Sequence, residues 1–354
     1  MGRKRVVVAM SGGVDSSLAA ALLKQAGYEV TGVTMQLRPS DKAGGERIEA
    51  ARQVAHKLDI PHYIADFSDL FTRQVISPFC HEYSLGRTPN PCIRCNQYIK
   101  FDALLEKSRT LGADFIATGH YARVEPSPTG YRLQKGIDRT KDQSYFLYTL
   151  GQKVLRCLLL PIGKYQKSQV RRMVAEMDLP AFKEESQDIC FIPDNDYRSF
   201  IVGQVPLQPG DIANTEGKIL GKHRGLALYT VGQRQGLGLS SNTRLYVLKL
   251  DAANNRLIVG SEDQLFSETL FASNLSWLSG EAPADATNIT AKVRYKSPEI
   301  AVTLQLNDEL ARVNFHQPQR AISPGQSVVF YQGDTVLGGG IIQDAKCNAD
   351  AILC

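Results

Sequence analysis

The chain opens on an arrangement that few folds accommodate. Five apolar residues, Val6-Val-Val-Ala-Met10, run into Ser11-Gly-Gly-Val-Asp-Ser-Ser17 and then into a helical stretch ending near Gln25. A short β-branched run of this kind reads as a strand buried on both faces of a parallel sheet. Gly12 and Gly13 let backbone N–H groups approach an anion closely. The helix start adds unpaired donors and a favourable dipole, and Ser11, Ser16 and Ser17 supply hydroxyls. Asp15 would repel a bare phosphate, so its presence points to Mg²⁺ bridging to pyrophosphate. The chain contains no Gly-x-x-x-x-Gly-Lys-Ser/Thr, which excludes a Walker A loop.

The same logic extends along the first 200 residues. Strands are predicted at 6–10, 30–35, 62–65 and 115–118, with helices at 16–25, 46–57, 70–83 and 98–111 between them. This βαβα order predicts an α/β fold: a doubly wound parallel sheet with ligands at the strand C-termini. Met10, Met35 and the Thr118-Gly-His120 turn should then face one crevice. A further helix, 166–177, carries Lys164, Lys167, Arg171 and Arg172 along one side, either a nucleic-acid contact or a solvated face. Near Gly203-Gln-Val-Pro-Leu-Gln-Pro-Gly210 the helical period stops at a linker. Short β runs follow at 245–250 and 256–259, joined by the hairpin loop Asp251-Ala-Ala-Asn-Asn255. Further strands at 289–295, 300–306, 311–315, 327–331 and 336–342 suit a small antiparallel barrel. For the 354 residues we therefore expect a nucleotide-binding domain at 1–203, a small central β domain at 204–275 and a C-terminal β-barrel at 276–354.

Net charge is +5, which permits a nucleic-acid partner without establishing one. The basic start Gly2-Arg-Lys-Arg5 precedes too short an apolar run for a signal peptide, and no run approaches transmembrane length. Seven cysteines do not resemble a disulfide scaffold, so a reducing cytoplasm is the expected address. In Thr88-Pro-Asn-Pro-Cys-Ile-Arg-Cys-Asn96, Asn90 suits an N-cap and Pro91 a first helical residue. Cys92 and Cys95 would then share one face of the first turns. There the helix dipole and Arg94 should lower their pKa values. Zinc would need a second ligand pair, and no other Cys-x-x-Cys or His-x-x-x-His is present. Cys190, in Ser186-Gln-Asp-Ile-Cys-Phe-Ile192, is a third candidate. Cys157 reads as a core residue, Cys80 as inert, and Cys347 and Cys354 as terminal thiols without an assigned role.

Taken in order, these motifs carry a resemblance. The first loop looks like the pyrophosphate loop of the PP-loop (adenine nucleotide alpha hydrolase-like) ATPases. That loop, Gly86-Arg-Thr-Pro-Asn-Pro-Cys-Ile-Arg-Cys-Asn96, Ile99-Lys-Phe101 and Ala117-Thr-Gly-His-Tyr-Ala122 belong to one series. Lys141-Asp-Gln-Ser-Tyr-Phe146, Ser186 to Ile192, Gly232-Gln-Arg-Gln-Gly-Leu237, Lys292-Val-Arg-Tyr295 and Pro324-Gly-Gln326 continue it. The series resembles the tRNA-specific 2-thiouridylase family over essentially the whole chain.

The resemblance implies ATP-dependent 2-thiolation of the wobble uridine of tRNA. The uracil C2 oxygen is adenylated, sulfur then arrives from a cysteine persulfide, and AMP and pyrophosphate are released. It implies nucleotide contacts from Ala9, Met10, Ser11, Gly12, Gly13, Val14, Asp15, Ser16, Met35 and Gly119. Asp15 would hold Mg²⁺ through pyrophosphate. Cys190 would carry the persulfide and Cys95 resolve it, forming a disulfide that an outside reductant reopens. tRNA contacts are implied for Asn90, Pro91, Cys92, His120, Lys141, Asp142, Gln143, Arg294, Tyr295 and Gln326. A cysteine desulfurase or sulfur carrier would deliver the sulfur. One departure matters: in the best-studied branch the position of Cys92 is an aspartate. Three thiols could instead hold an iron–sulfur cluster on Cys92, Cys95 and Cys190, a route ranked below the persulfide. Other PP-loop enzymes, such as GMP or NAD synthetase, would share the first loop but need no cysteine pair.

Overall fold

The computed structural model describes residues 2–38, 42–182, 189–192, 196–240, 243–283, 287–307 and 309–344. Cys347, Cys354 and the stretch 183–188 before Cys190 lie outside them. The expected α/β fold is present. Strands β1 (Arg5–Ala9), β2 (Glu29–Gln36), β3 (His62–Asp66) and β4 (Phe115–Ala117) are all parallel, with β1 central between β2 and β4. Val6, Val7 and Val8 are buried, as a strand covered on both faces requires. Helix α1 (Val14–Gln25) follows β1 and buries Leu18, Ala19, Ala20 and Leu23; helix α2 (Lys42–Lys57) follows β2. The short strand Leu158–Leu159 closes the far edge of the sheet beside β4.

Two helices depart from their expected form. The stretch expected at 70–83 is three pieces, with a π turn at Thr72–Ile76 between α segments Ser68–Phe71 and Ser77–Ser84. The helix of the cysteine motif begins at Pro91, as the Asn90-Pro91 pair predicts, but becomes a nine-residue π segment, Cys95–Ala103, before ending as α at Thr110.

Beyond helix Tyr197–Val202, strands Gly210–Ala213, Ile219–His223, Tyr246–Asp251 and Arg256–Gly260 make a four-stranded sheet. Six strands then close a barrel: Phe266–Trp277, Ile289–Lys292, Ile300–Leu306, Ala311–Arg320, Ser327–Gln332 and Thr335–Asp344. The first and last of these pair antiparallel to shut it. The hairpin Ala122–Ser127 and Gly130–Lys135, unforeseen from the sequence, leaves the nucleotide-domain segment and joins the barrel through Gln134 beside Thr335. No described helix is long and apolar enough to cross a membrane.

Candidate active site

At the end of β1 the chain turns sharply. Gly12 has φ 76°, and a Cβ there would lie 2.4 Å from the Arg47 carbonyl oxygen, so only glycine fits. Ala9 and Met10 are buried, and the Thr34 hydroxyl donates to the Met10 carbonyl at 2.8 Å. Ser16 and Ser17 do not offer their hydroxyls outward as the sequence suggested. Both are buried and donate to the Gly13 carbonyl, at 3.1 and 2.8 Å, while the Ser16 oxygen accepts from the Ser11 N–H at 3.1 Å. Ser11 itself is exposed. The N-cap of α1 is Gly13, which has no side chain to cap it, so among the described residues the first N–H groups of the helix remain open to an anion. Gly119 closes the site from β4, since a Cβ there would meet the backbone of Asp15 at 2.7 Å. Val14 is half-buried, and Met35 is half-buried between two core clusters.

Asp15 has two partners that the sequence did not disclose. Its Oδ1 accepts from the Tyr121 hydroxyl and the Lys167 ammonium, each at 2.7 Å, and Oδ2 accepts from Lys167 at 2.8 Å. Lys167 is therefore not part of a solvated basic face; its side chain is nearly buried. A carboxylate held this way on both oxygens is not an open Mg²⁺ ligand, and the metal role expected for Asp15 does not fit this arrangement. The glycine turn and the uncapped helix do fit a phosphate.

The cysteine loop forms as expected at its start. Asn90 Oδ1 accepts from the Cys92 N–H at 3.1 Å, and Pro91, buried, is the first helical residue. The expected acidity does not follow. Burial, the largest cause, pushes the Cys92 thiol up to about 12 and Cys95 to about 11. Arg94 gives them no charge. Its Nε donates to the Gln74 carbonyl at 2.7 Å, and its guanidinium sits 4.8 Å from the centroid of the Tyr98 ring.

The cation that faces the thiols is Lys100. Its charge favours the thiolate at Cys92, Cys95 and Cys190 alike. The charge of Cys190 in turn disfavours ionisation of both other thiols, so the three sulfurs share one neighbourhood. The Cys190 thiol is also raised, by desolvation first, against the pull of Lys100, Arg47 and Arg38. The residue is exposed, and that open face limits how far desolvation can reach. Phe191 anchors it, packing edge-on against Phe71 and Phe79.

His120 is buried, with Nδ1 2.7 Å from the Thr118 hydroxyl; burial and then Lys100 hold its pKa well below the usual value, so the ring is neutral. Asn96 is buried and donates to the Phe146 carbonyl at 3.1 Å, while its Oδ1 has no partner among the described residues. Cys80 lies in the Ser77–Ser84 helix, and Cys157 donates to the Val154 carbonyl, both outside this group. Among the described residues no set of three His, Cys, Asp or Glu side chains is arranged to hold a metal ion.

The remaining expected positions lie where the domains meet. The Asp142 carboxylate is buried and accepts from Gly136 N at 2.9 Å and the Ser144 hydroxyl at 2.8 Å. Gln143 accepts from Tyr121 N at 3.0 Å, and Lys141 is half-buried. The Arg294 guanidinium donates to the Ala321 carbonyl and, at 2.6 Å, to the Ser323 hydroxyl. The Tyr295 ring lies 4.4 Å from Phe146, and Gln326 donates to the Thr88 carbonyl at 3.0 Å.

Fold and site together define a PP-loop α/β protein of the HUP type with two β modules. Residues 4–194 match the tRNA methyl transferase HUP domain, 198–261 the tRNA methyl transferase PRC-barrel domain and 267–342 the aminomethyltransferase beta-barrel domain. The chain is 48% identical over 344 residues to the tRNA-specific 2-thiouridylase MnmA of Dehalococcoides mccartyi, covering 96% of each. It is 50% identical over 353 residues to that of Moorella thermoacetica, covering 95% of this chain and 99% of the relative. Among solved structures, a 4-thiouridine synthetase–RNA complex with bound ATP aligns with TM-score 0.37 at 16% identity, over 50% of this chain and 41% of that one. The chain belongs to the tRNA-specific 2-thiouridylase family.

Proposed function

We propose that this chain is the tRNA sulfurtransferase that its family membership implies, acting on C2 of the wobble uridine with ATP as co-substrate. The observation that carries the proposal is the gathering of Cys92, Cys95 and Cys190 about Lys100, in the domain whose glycine turn fits a phosphate. A uracil carbonyl oxygen is a poor leaving group. Its attack on the α-phosphorus of ATP expels pyrophosphate and leaves AMP on the oxygen. The outer sulfur of a Cys190 persulfide then attacks C2. The Cys95 thiolate attacks the inner sulfur, the S–S bond of the persulfide breaks, and AMP departs with the original oxygen. The product is 2-thiouridine and a Cys95–Cys190 disulfide, which an external dithiol reduces. The persulfide sulfur comes from a donor protein, and Mg²⁺ accompanies ATP with no ligand assigned to it on this chain. The tRNA contacts implied for Asn90, Pro91, Cys92, His120, Lys141, Asp142, Gln143, Arg294, Tyr295 and Gln326 are part of this proposal, as is the division into three domains, with the limit expected at 275/276 moved ahead of barrel strand Phe266–Trp277.

Mass spectrometry of nucleosides from tRNA incubated with protein, ATP, Mg²⁺ and a sulfur donor tests it. Cys95→Ser and Cys190→Ser should each abolish 2-thiouridine, with tRNA-dependent pyrophosphate release retained. Cys92→Asp should keep substantial activity. Iron-dependent activity that Cys92→Asp destroys would replace the persulfide route by the cluster route. Pyrophosphate release indifferent to tRNA would place the chain among the other PP-loop enzymes.

A further inference from the structure

At the seam of the central module and the barrel lies a cavity of about 460 Å³ walled by Arg198, Gly232, Gln233, Arg234, Tyr246 and Arg320. Three separate stretches of chain build it. Arg198 comes from the helix Tyr197–Val202, Gly232 to Arg234 from the loop before strand Tyr246–Asp251, and Arg320 from the end of barrel strand Ala311–Arg320. The loop is held in place. Gly232 N donates to the Val247 carbonyl at 2.8 Å, Val247 N to the Gln233 carbonyl at 2.9 Å, and Thr230 N to Gln233 Oε1 at 3.2 Å. Gly232 has φ 87°, and a Cβ there would lie 2.7 Å from that of Ala321. Arg294 ties the same parts together, since its Nη2 donates to the carbonyls of Val231 and Ala321.

Three arginines therefore line one concave space, two of them, Arg198 and Arg320, with their guanidinium groups held by bonds to the protein. Glu262 neutralises one, Arg320, at 3.2 Å. Arg198 uses Nε on the Leu228 carbonyl at 3.1 Å, and among the described residues its terminal amino groups have no acceptor. Arg234 is exposed and has no hydrogen bond or ion pair among the described residues. Asp196 also lies within the field of Arg198, so Arg234 is the arginine here with no ion pair among the described residues, and the guanidinium fork matches phosphate oxygens. The Tyr246 ring is buried and Arg320 lies over it at 5.4 Å, so its face is not open for a base to stack on.

We propose that this cavity binds a backbone phosphodiester of the tRNA, a positioning contact away from the thiols that reads phosphate and not sequence. The inference rests on tRNA being the substrate, as proposed above.

The test uses the full chain and measures tRNA affinity across a salt series for wild type, Arg234→Ala and the double variant Arg198→Ala/Arg234→Ala. The double variant should bind tRNA on the order of tenfold more weakly, with the slope of log affinity against log salt reduced by about one per arginine lost. Arg234→Lys, which keeps the charge, should keep most of that slope. Melting curves of each variant confirm folding, and ATP affinity should be unchanged. Wild-type binding with an unaltered affinity and slope in the folded double variant overturns the inference alone. A wild type that fails to bind tRNA overturns the proposed function and this inference with it. Inorganic phosphate raising the melting temperature of the wild type but not of the double variant, while tRNA affinity is equal in both, shows a free-anion site and also overturns it.

Discussion

Burial raises the three thiols of the sulfur site, and Lys100 opposes it at each of them. Burial pushes Cys92 up to about 12 and Cys95 to about 11, and among the described residues Lys100 is the cation whose charge favours the thiolate at all three cysteines. A neighbouring ammonium lowers a thiol pKa, so removing it raises that pKa and leaves less thiolate at any given pH. Lys100→Met should therefore move the pH profile of iodoacetamide labelling at Cys190 upward. The rate near neutral pH should fall severalfold, on the scale of tenfold per pKa unit, while Lys100→Arg keeps the wild-type profile. Peptide mass spectrometry reads both, and an unshifted Lys100→Met profile would refute the role. The sequence displayed this lysine but not its place. In α geometry Lys100 lies about 140° around the helix from Cys95, at 100° per residue. The i→i+5 turns of Cys95–Ala103 widen each turn and swing the lysine back toward that face. Arg94 looked the better candidate because it stands next to Cys95, and its bond to Gln74 could not be read from the chain. Lys167 and Tyr121 were hidden for a plainer reason: they lie 152 and 106 residues from Asp15.

At the scale of elements, local chemistry was legible and tertiary pairing was not. The strand–glycine turn–helix opening and the Asn90-Pro91 helix start are written in neighbouring residues, and both formed. The cap can be tested directly. Asn90→Ala removes the acceptor for the Cys92 N–H and should cost about 1 kcal/mol in urea denaturation, with faster amide exchange through residues 92–95. Asn90→Asp keeps an acceptor and should restore both. Loss of thiolation in Asn90→Asp despite normal exchange would mark Asn90 as a substrate contact as well as a cap. The hairpin of 122–135 escaped notice because Pro126 and Pro128 read as loop. Pro126 nevertheless sits in the strand, opposite Tyr131, in a ribbon whose other edge reaches the barrel only at Gln134. The twelve-residue strand Phe266–Trp277 was missed because its register breaks twice against the closing strand, at Phe271/Ala272 and again between Ser273 and Ser276. Such breaks blur the period-two alternation on which a strand reading depends.

At the scale of the whole molecule, the three sequence units share their interiors. One apolar cluster joins Ile116, Tyr145 and Leu147 to Leu278, Val329 and Tyr331 of the barrel. Another joins Phe79, Cys95 and Phe191 to Ile212, Val247 and Val259 of the central sheet. The cysteine loop is clamped between the two β modules. Thr88 N donates to the Pro324 carbonyl at 2.8 Å, Gln326 returns a bond to Thr88, and at Gly86 a Cβ would lie 3.1 Å from that of Leu250. Cutting the chain after Gly203 would therefore do more than remove a tRNA grip. It would expose the fully buried Tyr145 ring, whose hydroxyl donates to the Ser327 carbonyl at 2.8 Å, and free the loop that places Cys92. Exposed apolar surface of this extent outweighs the few kcal/mol by which a domain is stable. A fragment of residues 1–203 should thus lack a sigmoidal urea transition and bind ATP poorly, whereas the intact chain should unfold in one transition by both fluorescence and circular dichroism. A fragment that melts cooperatively and binds ATP as the full chain does would show that the shared cores are dispensable. The β modules would then serve tRNA alone, and the clamp on the cysteine loop would not be what positions the thiols.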